Sequence, residues 1–213
     1  MRQNAGVTAD DSQQKQAAPR RAPGRPRTID REAIVDAATA CYWQEGPAGL
    51  SLNEVCRRVG VAKPGVYREF GGEDGLLAAA IDRYRAHVVV PLLDLLNSDR
   101  QFMDALDDVL AMITMDDGPA GCLLVEMRLA PGRLGPVSRE RLDAVRAEML
   151  SSYAERYARA AAREETDAAI DPAFAASYID AQLTSALMRV RRGDDPATVT
   201  RQAHLALQAL QPG

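Results

Sequence analysis

The sequence predicts an all-α protein of about nine helices. Three observations carry that expectation. Alanine is abundant, aromatics are only 5% of the 213 residues, and β-branched runs are few. Apolar residues recur at three- and four-residue spacing after Asp30, and no stretch alternates with a period of two. Helix punctuation recurs too: Ser or Asp at starts, Pro in first turns, Gly at stops.

The elements follow in order. Residues 1–27 are polar and rich in Gln, Ala, Pro and Arg. They read as a disordered basic arm, with too little apolar surface to order alone. A first helix is predicted from Arg31 to Glu45, N-capped by Asp30 and stopped by Gly46-Pro47. Ile34, Ala37, Ala38, Cys41 and Tyr42 form its apolar stripe. Ser51-Leu52-Asn53-Glu54 is a capping box opening a short second helix that Gly60 ends. A third spans Lys63 to Phe70, with Pro64 in its first turn and Gly71-Gly72 behind it. Glu73 to Asn97 reads as a longer helix in which Pro91 predicts a kink or break near Val88–Val90. Phe102 to Ile113 marks a fifth helix and Gly121 to Leu129 a short sixth. After a loop bracketed by Pro131-Gly132 and Gly135-Pro136 comes a long charged helix, Val137 to about Glu165. Asp171-Pro172 and Asp195-Pro196 each open one of the last two helices with an N-cap and a proline at the first position. Arg191-Arg192-Gly193 closes the first of that pair with cations at the negative dipole end.

Composition excludes several classes. Hydrophobic residues at 46% and charged residues at 26% are ordinary for a soluble globular chain. No window of about 18 apolar residues exists, so no membrane span is predicted. The start, Met1-Arg2-Gln3-Asn4-Ala5, lacks the apolar core of a secretory signal. Cys41, Cys56 and Cys122 are widely spaced, and His87 and His204 stand alone, so no zinc-site spacing can be written. Reduced thiols in a cytoplasmic protein, with no metal and no cofactor, are the expectation. No catalytic residue is assigned, because there is no paired nucleophile, metal cluster or glycine-rich phosphate loop. The net charge is −4, yet residues 15–28 hold Lys15, Arg20, Arg21, Arg25 and Arg27 and no acid. A basic arm on an acidic body suits one end to a polyanion.

Residues 50–70 are the most informative. Two short helices meet at Gly60-Val61-Ala62. Val55, Val59, Val61, Val66 and Phe70 can face a shared core, leaving Lys63, Gly65, Tyr67 and Arg68 outside on the second helix. A helix-turn-helix and a plain helical hairpin both fit this pattern.

The segment resembles the TetR/AcrR family of bacterial helix-turn-helix transcription regulators. Ser51, Val55, Val59, Gly60, Val61, Ala62, Val66, Tyr67, Phe70 and Leu76 match the family's run, and Ala37-Ala38 and Gly46 fit upstream. The resemblance covers about residues 28–80, and Gly121-Cys122-Leu123-Leu124 looks like a further run seen in many members. It implies a basic arm at 1–27, a DNA-binding domain at 28–88 with its helix-turn-helix at 51–70, and a regulatory, ligand-binding and dimerisation domain at 89–213. It places Lys63, Pro64, Gly65 and Arg68 toward bases and phosphates. Tyr67 meets a phosphate, and Ser51 and Asn53 open a helix whose N-terminus can hold another. Arg25 and Arg27, in Pro23-Gly24-Arg25-Pro26-Arg27, resemble a minor-groove arm. Two departures oppose DNA: Glu73 stands where the family has lysine, and Glu69 where relatives are often neutral or basic.

The implied partners are a double-stranded DNA operator, a second copy of the chain and a small apolar or amphipathic effector, with no membrane. Expected pocket residues are Met103, Leu106, Leu110, Met112, Met115, Met127, Arg128, Tyr153, Tyr157 and Phe174. The expected dimer stripe is Ile179, Leu183, Ala186, Leu187 and Val190 on one helix and Val199, Ala203, Ala206, Leu207 and Leu210 on the other. The implied function is a homodimeric repressor released from a palindromic operator. The alternative is a family-like protein-interaction module whose DNA binding Glu69 and Glu73 have weakened.

Overall fold

The computed structural model describes residues 30–115 and 121–212. Arg25 and Arg27 and the side chain of Met115 lie outside the described residues. The elements are α1 (Arg31–Gly49), α2 (Leu52–Val59), α3 (Lys63–Phe70), α4 (Glu73–Tyr84), a π-helical segment (Arg85–Val89) and α5 (Val90–Leu96). Then come α6 (Phe102–Met115), α7 (Leu123–Leu129), α8 (Pro136–Ala161), α9 (Pro172–Arg191) and α10 (Pro196–Leu207). Since α4, the π segment and α5 form one continuous rod, the described residues make nine helical rods and no strand.

Most boundaries follow from local chemistry. Asp30, Ser51, Asp171 and Asp195 each accept a backbone N–H of the helix they open. Gly46, at φ +71 and ψ +156, breaks α1 where Gly46-Pro47 was expected to stop it, and one further turn follows as far as Gly49. Pro91 does not break its helix. Val90 N–H reaches back to the Arg85 carbonyl, and the chain widens into a π turn with helical backbone angles on both sides. The buried positions record this. Leu77, Ile81 and Tyr84 follow helical spacing, and then the next fully buried residue is Val89, five positions on.

Packing forms one continuous apolar core running from Ile34 to Leu210. α1, α2 and α3 make a small N-terminal unit, and α4 joins it to the body, where α8 lies against both α4 and α9. The stripe on α9 and α10 turns inward, contrary to expectation. Ile179, Leu183, Ala186, Val199, Ala203, Leu207 and Leu210 are buried within the chain itself. Leu187, Val190 and Ala206 are partly buried. The reason is that α9 packs on α8, α10 and α6, and those contacts consume the strongest apolar face. Phe174 on α9 and Leu205 on α10 are left outward, 65% and 68% exposed.

Two carboxylates at the start of α4 tie it to the body. Asp74 accepts the backbone N–H groups of Gly135, Val137 and Ser138 at 3.1, 3.0 and 3.0 Å, and the Ser138 hydroxyl at 2.5 Å. It therefore caps α8, whose own N-cap residue is a glycine. Partial burial pushes the Asp74 carboxyl up, but the bonds from Ser138, Val137 and Gly135 outweigh it and hold it below its usual range. The stabilisation is thus complete above the ordinary carboxylate value of about 4 and is lost as pH falls through the lower folded value. Asp74→Ala is expected to cost about 1–2 kcal/mol in urea unfolding at neutral pH, with the difference from the parent shrinking in acid. An equal gap at all pH values would contradict this assignment.

Candidate nucleic-acid interface and ligand cavity

α2 and α3 are joined by a tight turn. Gly60 closes α2 in the left-handed region, and Val61 N–H donates to the Cys56 carbonyl at 3.0 Å. Val55 and Val66 are buried beneath the pair. Ser51 accepts Glu54 N–H at 3.2 Å. The Glu54 carboxylate turns to Arg57 at 2.6 Å and Arg58 at 2.8 Å, and these bonds hold its carboxyl down to about 2. Arg58 also pairs with Glu45 and so binds α2 to α1.

Lys63, Pro64, Tyr67 and Arg68 are exposed on one side of α3, with Ser51 and Asn53 exposed at the start of α2. Gly65 is not with them. It is buried, because two residues of helix turn it about 200° from Lys63 and toward the core. Tyr67 is 53% exposed, its ring lying over Gly72. Both suspect acids are paired. Glu69 takes Arg68 Nε at 3.0 Å. Glu73 pairs with Arg133 of the short 3₁₀ turn Pro131–Arg133, and Arg133 also donates to the Leu50 carbonyl at 2.8 Å.

The body encloses a cavity of about 110 Å³ between α1, α4 to α5, α6, α7, α8 and α9. Trp43, Tyr84, His87, Leu92, Met112, Cys122, Leu124, Met149, Leu187 and Val190 are among its walls. The Tyr84 hydroxyl and Cys122 thiol are hydrogen-bonded to each other, and burial raises both groups above their ordinary values, so both stay protonated. A smaller cavity of about 40 Å³ shares Leu92, Cys122, Leu124, Met149 and Leu187, and reaches Arg128, Arg146, Tyr153 and Asp180.

Of the expected pocket residues, Met112 lines the larger cavity and Arg128 and Tyr153 the smaller. Leu106, Leu110, Met127 and Tyr157 are sealed in the core, and Met103 packs against it. Tyr157 spends its hydroxyl on the Asp167 carbonyl at 2.7 Å. Phe174 faces outward. Sequence reasoning missed Trp43, His87 and Val88, because they belong to helices assigned to the DNA-binding domain. Among the described residues, no group of three or more His, Cys, Asp or Glu is placed to hold a metal, and no helix is long and apolar enough to cross a membrane.

An exposed basic and aromatic α3 on a buried turn, joined to a helical body with an apolar cavity, defines the class of helix-turn-helix transcription regulators. Residues 34–80 match the family of bacterial regulatory proteins, tetR family, and residues 100–206 match the tetracyclin repressor-like C-terminal domain. The chain belongs to the TetR family. The HTH-type transcriptional repressor BdcR of Escherichia coli K12 is 33% identical over 110 residues, 50% of this chain and 56% of BdcR. The repressor ComR of the same strain is 34% identical over 107 residues, 48% of this chain and 51% of ComR. The chain spans about half the length of these curated relatives. A cysteine mutant of the regulator CifR, solved with 26-base-pair operator DNA, superposes with a TM-score of 0.75 at 25% identity, covering 88% of this chain and 100% of CifR.

Arg133→Met removes the donor of both Glu73 and the Leu50 carbonyl. A loss of about 1–3 kcal/mol is expected in urea unfolding, since both bonds are charge-assisted and half-buried. An unchanged midpoint and slope would remove the bridge from the account.

Proposed function

We propose that the protein is a homodimeric repressor that holds a palindromic operator through α3 and is released by a small apolar or amphipathic effector. The observation that carries this reading is the outward side of α3, with Lys63, Pro64, Tyr67 and Arg68 presented together and the nearby acids already paired. In this reading Lys63 and the Tyr67 hydroxyl meet phosphates, Arg68 meets a base edge, and Ser51 and Asn53 hold a phosphate at the start of α2. Arg25 and Arg27 enter the adjacent minor groove. The operator complex of CifR supports a DNA partner. The effector occupies the larger cavity, and the protein works in the cytoplasm, on the nucleoid when bound.

The two copies meet through the outward face of α9 and α10 that carries Phe174 and Leu205, which supports a four-helix bundle between subunits. With Glu69 and Glu73 both paired, no observation favours the protein-interaction reading.

Sheared genomic DNA captured by the protein at two salt concentrations is expected to yield one palindromic site, held more weakly at high salt. Lys63→Ala is expected to weaken binding to all sequences alike and reduce the salt slope by about 1. No enriched site at low salt would reject the operator reading. Phe174→Glu is expected to convert a dimer to monomer in sedimentation, and a parent chain that is itself monomeric would reject the dimer.

A further inference from the structure

One side chain both walls the larger cavity and fastens the N-terminal unit to the body. Trp43 projects from α1 into the cavity wall. Its ring meets Tyr84 edge-on, centroids 4.9 Å apart, and its indole N–H donates to the Gly121 carbonyl at 3.0 Å. Gly121 lies flat against Arg191, where a Cβ would sit 2.7 Å from that arginine's Cδ. Arg191, at the end of α9, donates to the carbonyls of Trp43 and Gln44 at 3.0 and 2.9 Å, and pairs with Glu126 of α7 at 3.3 Å. Those two carbonyls belong to the last turn of α1 before the break at Gly46. The end of α1 is therefore clasped to α7 and α9 right beside the cavity.

The wall also limits what can enter. Among the described residues its lining is mostly aliphatic and aromatic, with His87, Thr114, Tyr84 and Cys122 as the polar side chains. Such a wall favours a ligand whose surface is mainly apolar. The volume of about 110 Å³ is smaller than an apolar cavity of about 150 Å³ known to admit benzene, so an aromatic ring enters only by pushing a wall side chain aside.

We propose that Trp43 couples this cavity to the DNA-binding unit directly: an uncharged apolar molecule of about the size of toluene displaces the indole from Gly121, loosens the Arg191 clasp and lets α1, with α2 and α3, reseat on the body. The proposal rests on the effector reading above and adds the class of effector and its route. The differential binding that any such shift requires comes from the Trp43–Gly121 bond, kept in one seat and broken in the other.

The test uses the full chain, toluene and benzoate. Trp43 is the single tryptophan of the sequence, so its emission reports occupancy. Toluene is expected to shift that emission saturably, and benzoate is not. Toluene is then expected to weaken binding to the captured operator about tenfold. In Arg191→Gln, which leaves the cavity wall intact, toluene still shifts the emission while operator affinity changes less than about twofold. Trp43→Phe, which keeps a ring and loses the N–H, is expected to lose the coupling as well, with occupancy read by calorimetry. It decides the matter if the arginine variant does not fold. Equal coupling in the parent and variants, or toluene occupancy without any change in operator affinity, overturns the Trp43 route. Benzoate binding as tightly as toluene overturns the uncharged class. No saturable emission change with toluene removes the effector reading itself.

Discussion

A helix that begins with glycine and proline brings no side chain of its own to its free N–H groups. The 26-residue α8 begins that way, and Asp74, 61 residues upstream of Gly135, supplies the missing acceptor. That carboxylate stands in the first turn of α4, two residues past the glycine pair that ends α3. The start of the 26-residue α8 and the position of α4, directly behind α3, are thereby set by one group. Glu73 repeats the arrangement one residue earlier through Arg133. The body is not merely attached to the DNA-binding unit; it completes its own secondary structure with a residue from the helix that carries α3.

The same economy accounts for the acids near α2 and α3. Glu54, Glu69 and Glu73 look unfavourable when counted as charges along the chain. In the fold each lies against a guanidinium: Arg57 and Arg58, Arg68, and Arg133. Pairing shortens the reach of each negative charge toward a phosphate backbone, while Lys63 and Tyr67 remain exposed.

How far the sequence could be read depended on the range of the signal. Caps and stops are local, so Asp30, Ser51, Gly60, Asp171-Pro172 and Asp195-Pro196 marked their helices well. The exposed side of α3 was legible except at Gly65, where angular position mattered more than residue type. The face of α9 was read backwards, because an apolar stripe has the same 3.6-residue period whether it meets its own core or another subunit. The cavity was hardest. Its walls come from six segments far apart in sequence, and Met127 and Met112 have the same chemistry although one is core and the other cavity. The partners of Glu73 and Asp74 were equally invisible, lying 60 and 61 residues away.

The π turn at Arg85–Val89 holds one residue more than an α turn would. A helix advances about 100° per residue, so this single residue sets the angular phase of everything before it against everything after it. Deleting one residue there restores regular α bonding and at the same time swings Glu73 and Asp74 about a quarter turn away from Arg133 and the start of α8. Chain length in this segment therefore matters as much as the identity of Glu73 and Asp74, because a one-residue gap within it undoes both ties to the body at once.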